Sequence, residues 1–444
     1  MRTLDNLRAL RHSCGIPPPA GPLTYFAAAA LQESPMLNLK RILESLDTVR
    51  ANNRARGYEV DVDALADKAL ELRSSQSQYE ACRRELRLLS ERPSGDDGRL
   101  EQGRALRAKQ SELSSRIGEL TTVVDRLASQ LPNILDSRVP VGDDSVSVVL
   151  REVGSKPQFS HKPLPHETLG ERLGLLDMAG GARIAGRRFY NLKNDAVRLR
   201  WILADMFREY TQPMGFELVS PPHLTQSKTL YASGYLPFQT KDNFKIADSD
   251  LSLIGTSEQA LLGTHIGTTL SELPKLYLGD SMCFRTEAGN YGRDTAGIFR
   301  VHQFYKLEQF VYCHPDEAEE WHQRCLQNEE WLMQALEIPY RVVLTSSDDL
   351  AAPGKIKYDI EAWIPAQGKY REVTSNTNLG DFQTRRGNIR FKVGGQKGYP
   401  HTISATGFCD RLIIALMENY QTAEGTITVP SVLRGRLGKA LIKG

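Results

Sequence analysis

Between Val62 and Leu131 apolar side chains recur every seven residues, and no other feature limits so sharply what this chain can fold into. Leu65, Leu72, Tyr79 and Leu86 mark one helix; Leu106, Leu113, Leu120 and Leu127 mark a second, with Ile117, Val124 and Leu131 at the alternate positions. Two helices that bury one narrow stripe against each other need this rhythm. Pro93, Ser94, Gly95, Asp96, Asp97 and Gly98 stand between the runs and should reverse the chain. The expectation is an antiparallel helical hairpin whose arms, at roughly 30 residues each, reach about 45 Å. Neighbouring sequence is too short to bury such a rod, so it should project into solvent. Arg73, Arg83, Arg84, Arg87, Arg92, Arg99, Arg104, Arg107, Lys109 and Arg116 lie on its outer faces and suit phosphate contact. With acidic residues interspersed, an ordinary solvated coiled-coil face fits this stretch equally well.

A chain of 444 residues, 40% hydrophobic and 25% charged, has room for a large core and a second domain beside the hairpin. Its 56 basic and 54 acidic residues give a net charge of +2, so any nucleic-acid signal must be local. Cys14, Cys82, Cys283, Cys313, Cys325 and Cys409 form no C-x-x-C pair and no histidine cluster joins them, which predicts a reducing compartment and no zinc. No apolar run approaches the length needed to span a bilayer, and Phe26 to Leu31 is the nearest. The first 35 residues stand apart. Arg2, Arg8, Arg11 and Pro17 to Pro19 fit a presequence for a mitochondrial or other organellar matrix; Asp5 and weak amphipathicity favour a disordered tail or a start at Met36, and a cytoplasmic protein.

After Leu131-Pro132-Asn133-Ile134 the second helix ends, and Val141 to Asp144 begins a linker. Helical periodicity from Ala196 to Tyr210 runs into a strand, Gly215 to Val219, closed by Pro221-Pro222. Further short strands are expected at Lys275 to Leu278, Phe299 to Phe304, Gln309 to Tyr312, Tyr340 to Leu344, Lys357 to Trp363 and Arg371 to Val373, then a last helix from Arg411 to Tyr420. Strands with helices set apart from them predict an α+β domain on a mainly antiparallel sheet. The expected division is an extension at 1–35, a hairpin domain at 36–140 and an α+β domain at 141–444.

The segment Cys283-Phe284-Arg285-Thr286-Glu287-Ala288-Gly289 leads through a polar loop to Phe299-Arg300-Val301-His302-Gln303-Phe304 and Glu308. It resembles motif 2 of the class II aminoacyl-tRNA synthetases, specifically the seryl enzymes. Three more stretches join it. Gly255-Thr256-Ser257-Glu258 resembles the T-x-E loop, Tyr370-Arg371-Glu372-Val373-Thr374-Ser375 the strand that carries the metal ligands, and Ser404-Ala405-Thr406-Gly407 with Arg411 motif 3. Glu217 to Pro222 resembles motif 1, through which relatives dimerise, and the resemblance runs from Met36 to Leu441.

The resemblance implies a class II catalytic domain behind a coiled-coil arm, on a homodimer that makes seryl-adenylate from ATP and serine and passes serine to tRNA(Ser), and to tRNA(Sec) where the organism has one. By the same likeness Arg285 binds the α-phosphate and Arg411 the γ-phosphate. ATP lies against Arg285, Thr286, Glu287, Val301, Phe304, Glu372, Val373, Thr374, Ser375 and Arg411, with Phe304 stacking on adenine and Glu287 accepting from its amino group. Glu372 and Ser375 hold Mg²⁺; Thr256, Ser257, Glu258, Glu308 and Thr406 receive serine; Arg83, Arg84 and Arg87 meet the tRNA. The chemistry needs such residues because a carboxylate attacking an α-phosphate brings two anions together, so the site must neutralise and align.

Two departures stand out. Gly255 occupies a position where proline is common. Motif 3 has three residues, Phe408, Cys409 and Asp410, before its arginine where the family pattern has four, and the last of them is acidic. A binding paralogue without catalysis and a ligase that loads a carrier protein are the competing readings. Joint retention of Arg285, Glu287, Glu308, Glu372 and Arg411 speaks against the first, and the basic hairpin against the second.

Overall fold

The computed structural model describes residues 39–91, 97–288 and 297–444. The readings placed on residues 1–35, on Arg92 to Asp96 and on the loop 289–296 lie outside the described residues. By their contacts the described residues form two bodies, one of residues 68–123 and one of 39–67 with 124–444. This division differs from a boundary after residue 140, because the roots of both long helices belong with the second body.

The first body consists of most of helices α2 (Val62–Ser90) and α3 (Asp97–Ser129), the first helix of the chain used here being α1 (Leu46–Ala55). Leu72, Leu113 and Leu120 are buried, as the rhythm requires, while Tyr79, Leu86, Leu106 and Ile117 are half-buried. Ser75, Cys82 and Leu89 complete the seam on α2, a second heptad line that small side chains hide in the sequence. The Arg116 guanidinium donates to Glu71 Oε2 across the pair at 3.0 Å. Asp97 and Gly98 do not interrupt the chain as expected but open α3. A first helical turn tolerates both, because its N–H groups lack intrahelical partners and favour an acidic neighbour.

In the second body eight strands make one sheet: β1 (Val148–Val153), β2 (Glu217–Val219), β3 (Lys275–Phe284), β4 (Gln303–Cys313), β5 (Tyr340–Leu344), β6 (Ile356–Ile364), β7 (Lys369–Gly380) and β8 (His401–Cys409). Their order is β1-β5-β6-β7-β8-β4-β3-β2, with all neighbours antiparallel except β2, which runs parallel to β3. Phe299 to Phe304 and Gln309 to Tyr312 were expected as two strands. The structure has one strand, β4, that takes in all of the second and only Gln303 and Phe304 of the first, with Phe299 to His302 outside it.

Helix α4 (Asn194–Thr211) buries Ala196, Leu199, Leu203, Met206 and Phe207 along one face, the spacing of an amphipathic helix lying on a core. Helices α5 (Ser257–Gly263) and α6 (Ala318–Ala335) flank the sheet, and α7 (Arg411–Asn419) is buried from Leu412 to Asn419. A helix apolar all round must sit inside, so α7 presents only its first residue, Arg411, to a site. The Arg56 guanidinium, just past α1, donates to the carbonyls of Asn133, Gly354, Leu350 and Ala351, and Asn133 Nδ2 donates to Pro353 O and Leu379 O at 2.8 Å. Leu131 to Ile134 is therefore a joint in which buried backbone carbonyls are satisfied by two polar side chains.

Candidate active site

Strands β3 and β4 form one long hairpin in which Gly279 faces Glu308 and Cys283 faces Phe304. Arg285 leaves the end of β3 and is fixed by its neighbours. Its N–H donates to His302 O at 3.0 Å, its Nε donates to Gly255 O at 3.1 Å, and its guanidinium lies 5.3 Å from the Phe304 ring centroid. Burial opposes its charge, but Tyr235, Cys283, Glu287 and Asp242 outweigh that and hold the guanidinium above its ordinary value. Thr286 and Glu287 are anchored through backbone N–H bonds to Asp242, at 3.2 Å to its carbonyl and 2.9 Å to Oδ1. Glu287 has a left-handed φ of 52°, and its carboxylate accepts from Arg300 Nη1 at 2.6 Å.

Arg411 reaches the same region from α7. Its Nε donates to Phe299 O at 3.0 Å, and its Nη1 lies 3.0 Å from Glu372 Oε2 and 3.2 Å from the Glu372 carbonyl. Burial would raise the Glu372 pKa, but Arg411, Lys357 and Arg285 overcome it and bring it down to about 2. Arg285 and Arg411 also act on each other's charge, so the structure brings the motif 2 and motif 3 arginines and Glu372 into one electrostatic cluster.

Residues three apart on a regular strand point to opposite faces, yet Glu372 and Ser375 are expected to share a ligand. A bulge resolves this. Thr374 pairs with Ile360 and Glu372 with Glu361, leaving Val373 as an extra residue that resets the alternation. The Val373 and Val301 side chains sit in the core, and Thr374 is buried, so none of these three side chains is free to meet a ligand there. An ionised carboxylate and a hydroxyl are hard oxygen donors that fit Mg²⁺ beside substrate phosphates. Among the described residues no group of three or more His, Cys, Asp or Glu side chains is placed to hold a metal by itself. Lys357, which the sequence did not single out, lies 2.7 Å from Asp349 and 3.0 Å from Asp359, next to Glu372 in charge.

Beside this cluster lies a small polar pocket. Glu308 accepts from Thr256 Oγ1 at 3.2 Å and from the Lys306 ammonium; Glu258 accepts from Gln383 Nε2 at 2.5 Å. Ser404 Oγ stands 2.7 Å from Glu258 Oε2 and 2.8 Å from Glu308 Oε1. One hydroxyl hydrogen cannot serve two carboxylates at once, and an ammonium group would supply three further donors. Thr406 faces Glu308 across the ladder, and its hydroxyl accepts from Ser375 N at 3.4 Å. Ser257 is not brought into this pocket, since its hydroxyl donates to Gly279 O at 3.2 Å.

Burial, and next to it the negative charge of Glu308, raise the Glu258 pKa. A carboxyl must be ionised to take an ammonium, so acidification should weaken the binding of an α-amino acid before it affects the nucleotide, whose Glu372 stays ionised far lower. As the pH is lowered, the amino-acid KM should rise before any effect of Glu372 on the ATP KM sets in, because Glu258 loses its charge before Glu372 does. Parallel movement of the two constants would contradict this.

Lys306 and Ser404 were not assigned roles from the sequence. Lys306 and Glu308, two apart on an otherwise apolar strand, share a face, and that spacing was the available signal. Arg83, Arg84 and Arg87 belong to the other body, where all three are exposed on α2; Arg83 lies 3.5 Å from Glu80 and Arg87 3.2 Å from Glu91.

The profile of the tRNA synthetase class II core domain (G, H, P, S and T) matches residues 239–420. The chain is 38% identical over 416 residues to the serine–tRNA ligase of Thermobifida fusca, covering 92% of this chain and 99% of that one. Among solved structures it resembles seryl-tRNA synthetase from Pyrococcus horikoshii complexed with ATP, with a TM-score of 0.87 and 36% identity over 92% of this chain and 99% of the other. It also resembles the cytoplasmic serine–tRNA ligase of Naegleria fowleri in complex with AMP, with a TM-score of 0.81 and 29% identity over 89% and 95% of the two chains.

Proposed function

The chain belongs to the serine–tRNA ligase family of class II synthetases, and from that premise we propose that the cluster around Arg285, Arg411 and Glu372 takes ATP while the pocket of Glu258, Glu308, Thr256 and Ser404 takes serine. The protein activates serine with ATP and charges tRNA. The ion pair of Arg411 with Glu372, with Arg285 near enough to lower the same carboxylate, and Ser404 shared between Glu258 and Glu308 beside it, is the observation that carries the assignment of residues.

In the first step a serine carboxylate oxygen bonds to the α-phosphorus while the bond to the bridging oxygen breaks, and pyrophosphate leaves. No proton moves. Arg285 neutralises the α-phosphate and Arg411 the γ-phosphate, so the nucleophile meets less negative charge and is held in line. When bound through Glu372 and Ser375, Mg²⁺ supplies further neutralisation of the triphosphate. Glu258 and Glu308 hold the serine ammonium, with the Thr256 and Ser404 hydroxyls beside them. Phe304 is placed to stack on adenine once Arg285 turns to phosphate. In the second step a terminal tRNA hydroxyl attacks the seryl carbonyl and AMP leaves.

The remaining parts of the reading follow the same family. Residues 36–140 contain the tRNA-reading hairpin and 141–444 the catalytic part, with 1–35 an extension. Two copies pair through α4 and β2, where Trp201 and Leu218 are 65% and 49% exposed, and the particle mass in solution checks this. The protein is cytoplasmic, and tRNA(Sec) is a second substrate where it exists. Among the described residues no helix is long and apolar enough to cross a membrane.

Pyrophosphate exchange with each of the twenty amino acids tests the pocket assignment. Serine should support exchange, with alanine several orders of magnitude below it, because a buried site built for a hydroxyl is left unpaired by its absence. Comparable exchange with alanine would show that the pocket has been misread.

A further inference from the structure

Asp410, the acidic residue that directly precedes Arg411 in the shortened motif 3, would repel a triphosphate if it faced one. It does not. Its side chain is 3% exposed and is gripped from three elements. Arg200 of α4 donates to it through Nε and Nη2, each at 2.8 Å. Tyr190 Oη donates to Oδ2 at 2.6 Å, and the Tyr305 N–H of β4 donates to Oδ2 at 2.9 Å. Asp410 N in turn donates to Tyr305 O at 3.3 Å, so side chain and backbone close a ring on one residue of β4.

The position of this knot gives it a consequence. Cys409 ends β8, Asp410 is the single connecting residue, and Arg411 begins α7. One turn earlier, Gly407 is the extra residue of a bulge between Thr406 and Phe408, with the Phe207 ring so close that any Cβ would stand 2.5 Å from it. The strand is thus bent and pinned on one side of the junction, while the helix beyond it is rigidly buried.

We propose that Asp410, clamped by Arg200 and Tyr190, is a positioning residue that sets Arg411 against the triphosphate and so makes the one-residue-shorter motif 3 workable. The proposal rests on the assignment of Arg411 to ATP. A planar two-point contact between guanidinium and carboxylate fixes orientation as well as distance. Displacing a charged contact by about 1 Å can cost a large part of its benefit.

The test is Asp410→Asn, which keeps shape and the capacity to accept from Tyr305 and Tyr190 but strips the charge that Arg200 matches. Serine-dependent pyrophosphate exchange should show an ATP KM raised about tenfold, the scale of one weakened charged contact, with the serine KM within about twofold. A purely structural role would lower the active fraction and leave both KM values in place, and that result overturns the proposal, as does an equal rise in both. The paired variant Arg200→Gln with Asp410→Asn lacks the same two-point contact and should show about the same raised ATP KM as Asp410→Asn alone, since residues in one network do not add; an ATP KM back at the parent value overturns the proposal. If Asp410→Asn fails to fold, Tyr190→Phe removes one hydroxyl contact and should raise the ATP KM in the same direction; no rise overturns the proposal. Arg411→Ala is measured alongside. An unchanged ATP constant in Arg411→Ala removes the assignment of Arg411 itself, and the proposal falls with it; an effect there without one in Asp410→Asn removes the proposal alone.

Discussion

Replacing residues 68–123 with a short turn should leave serine-dependent pyrophosphate exchange within about twofold of the intact protein and reduce tRNA charging by a hundredfold or more, a scale at which recognition contacts worth roughly 3 kcal/mol have gone. The cut is placed inside the helices. Val62, Leu65 and Ala66 at one root, and Val124, Ala128 and Leu131 at the other, are buried and belong to the body that carries the active site, so removing them would damage the fold as well as the arm. Between the cuts the seam residues pack one helix on the other, and Arg83, Arg84 and Arg87 remain exposed. Duplex RNA is recognised mainly through shape and the positions of its phosphates and 2′-hydroxyls, which a rod bearing separated guanidinium groups can meet without reading bases. Neutralising these three arginines should therefore weaken tRNA binding and flatten its dependence on salt, because fewer counterions leave the RNA. Both assays, exchange and charging, are run on each variant over a salt series. Charging that survives loss of the hairpin would mean that another surface reads the tRNA.

The same residues show why part of this molecule was legible from sequence and part was not. Leucines at seven-residue spacing announced the hairpin, but Ser75 and Cys82 are small and their half of the seam is silent in a hydrophobic pattern. Strand β4 read as two pieces because Lys306 and Glu308 break its apolar run; they are buried all the same, since each neutralises the other. The extra residue at Val373 could not be inferred from alternation, although it brings Glu372 and Ser375 to one face of the strand. Motif residues were found through resemblance; the structure pairs Arg411 with Glu372 and groups Glu258, Glu308 and Ser404, while Ser257 turns to Gly279. The resemblance could not supply the partner of Asp410, because Arg200 lies 210 residues away on a different helix.

Arg285→Ala should lower serine-dependent pyrophosphate exchange by roughly a hundredfold or more, the loss seen when one preorganised electrostatic contact to a developing charge is deleted. The guanidinium is half-buried and its Nε is held by Gly255 O, so part of its freedom is already lost before ATP arrives. That preorganisation separates it from a surface arginine. It is also why Arg285→Lys should recover only part of the rate, since an ammonium restores the charge but not the planar fork that fits a phosphate. Folding should survive the substitution, because Arg285 spends one side-chain hydrogen bond on a backbone carbonyl and fills no apolar core position. Arg411→Ala should fall in the same range, and the two together should cost less than the product of the separate losses, because both act on one triphosphate and on the Glu372 carboxylate. Activity of Arg285→Ala within a few fold of the parent, in a protein that melts normally, would mean that the phosphate site lies elsewhere. Strict multiplicativity of the two losses would mean that the arginines serve separate steps.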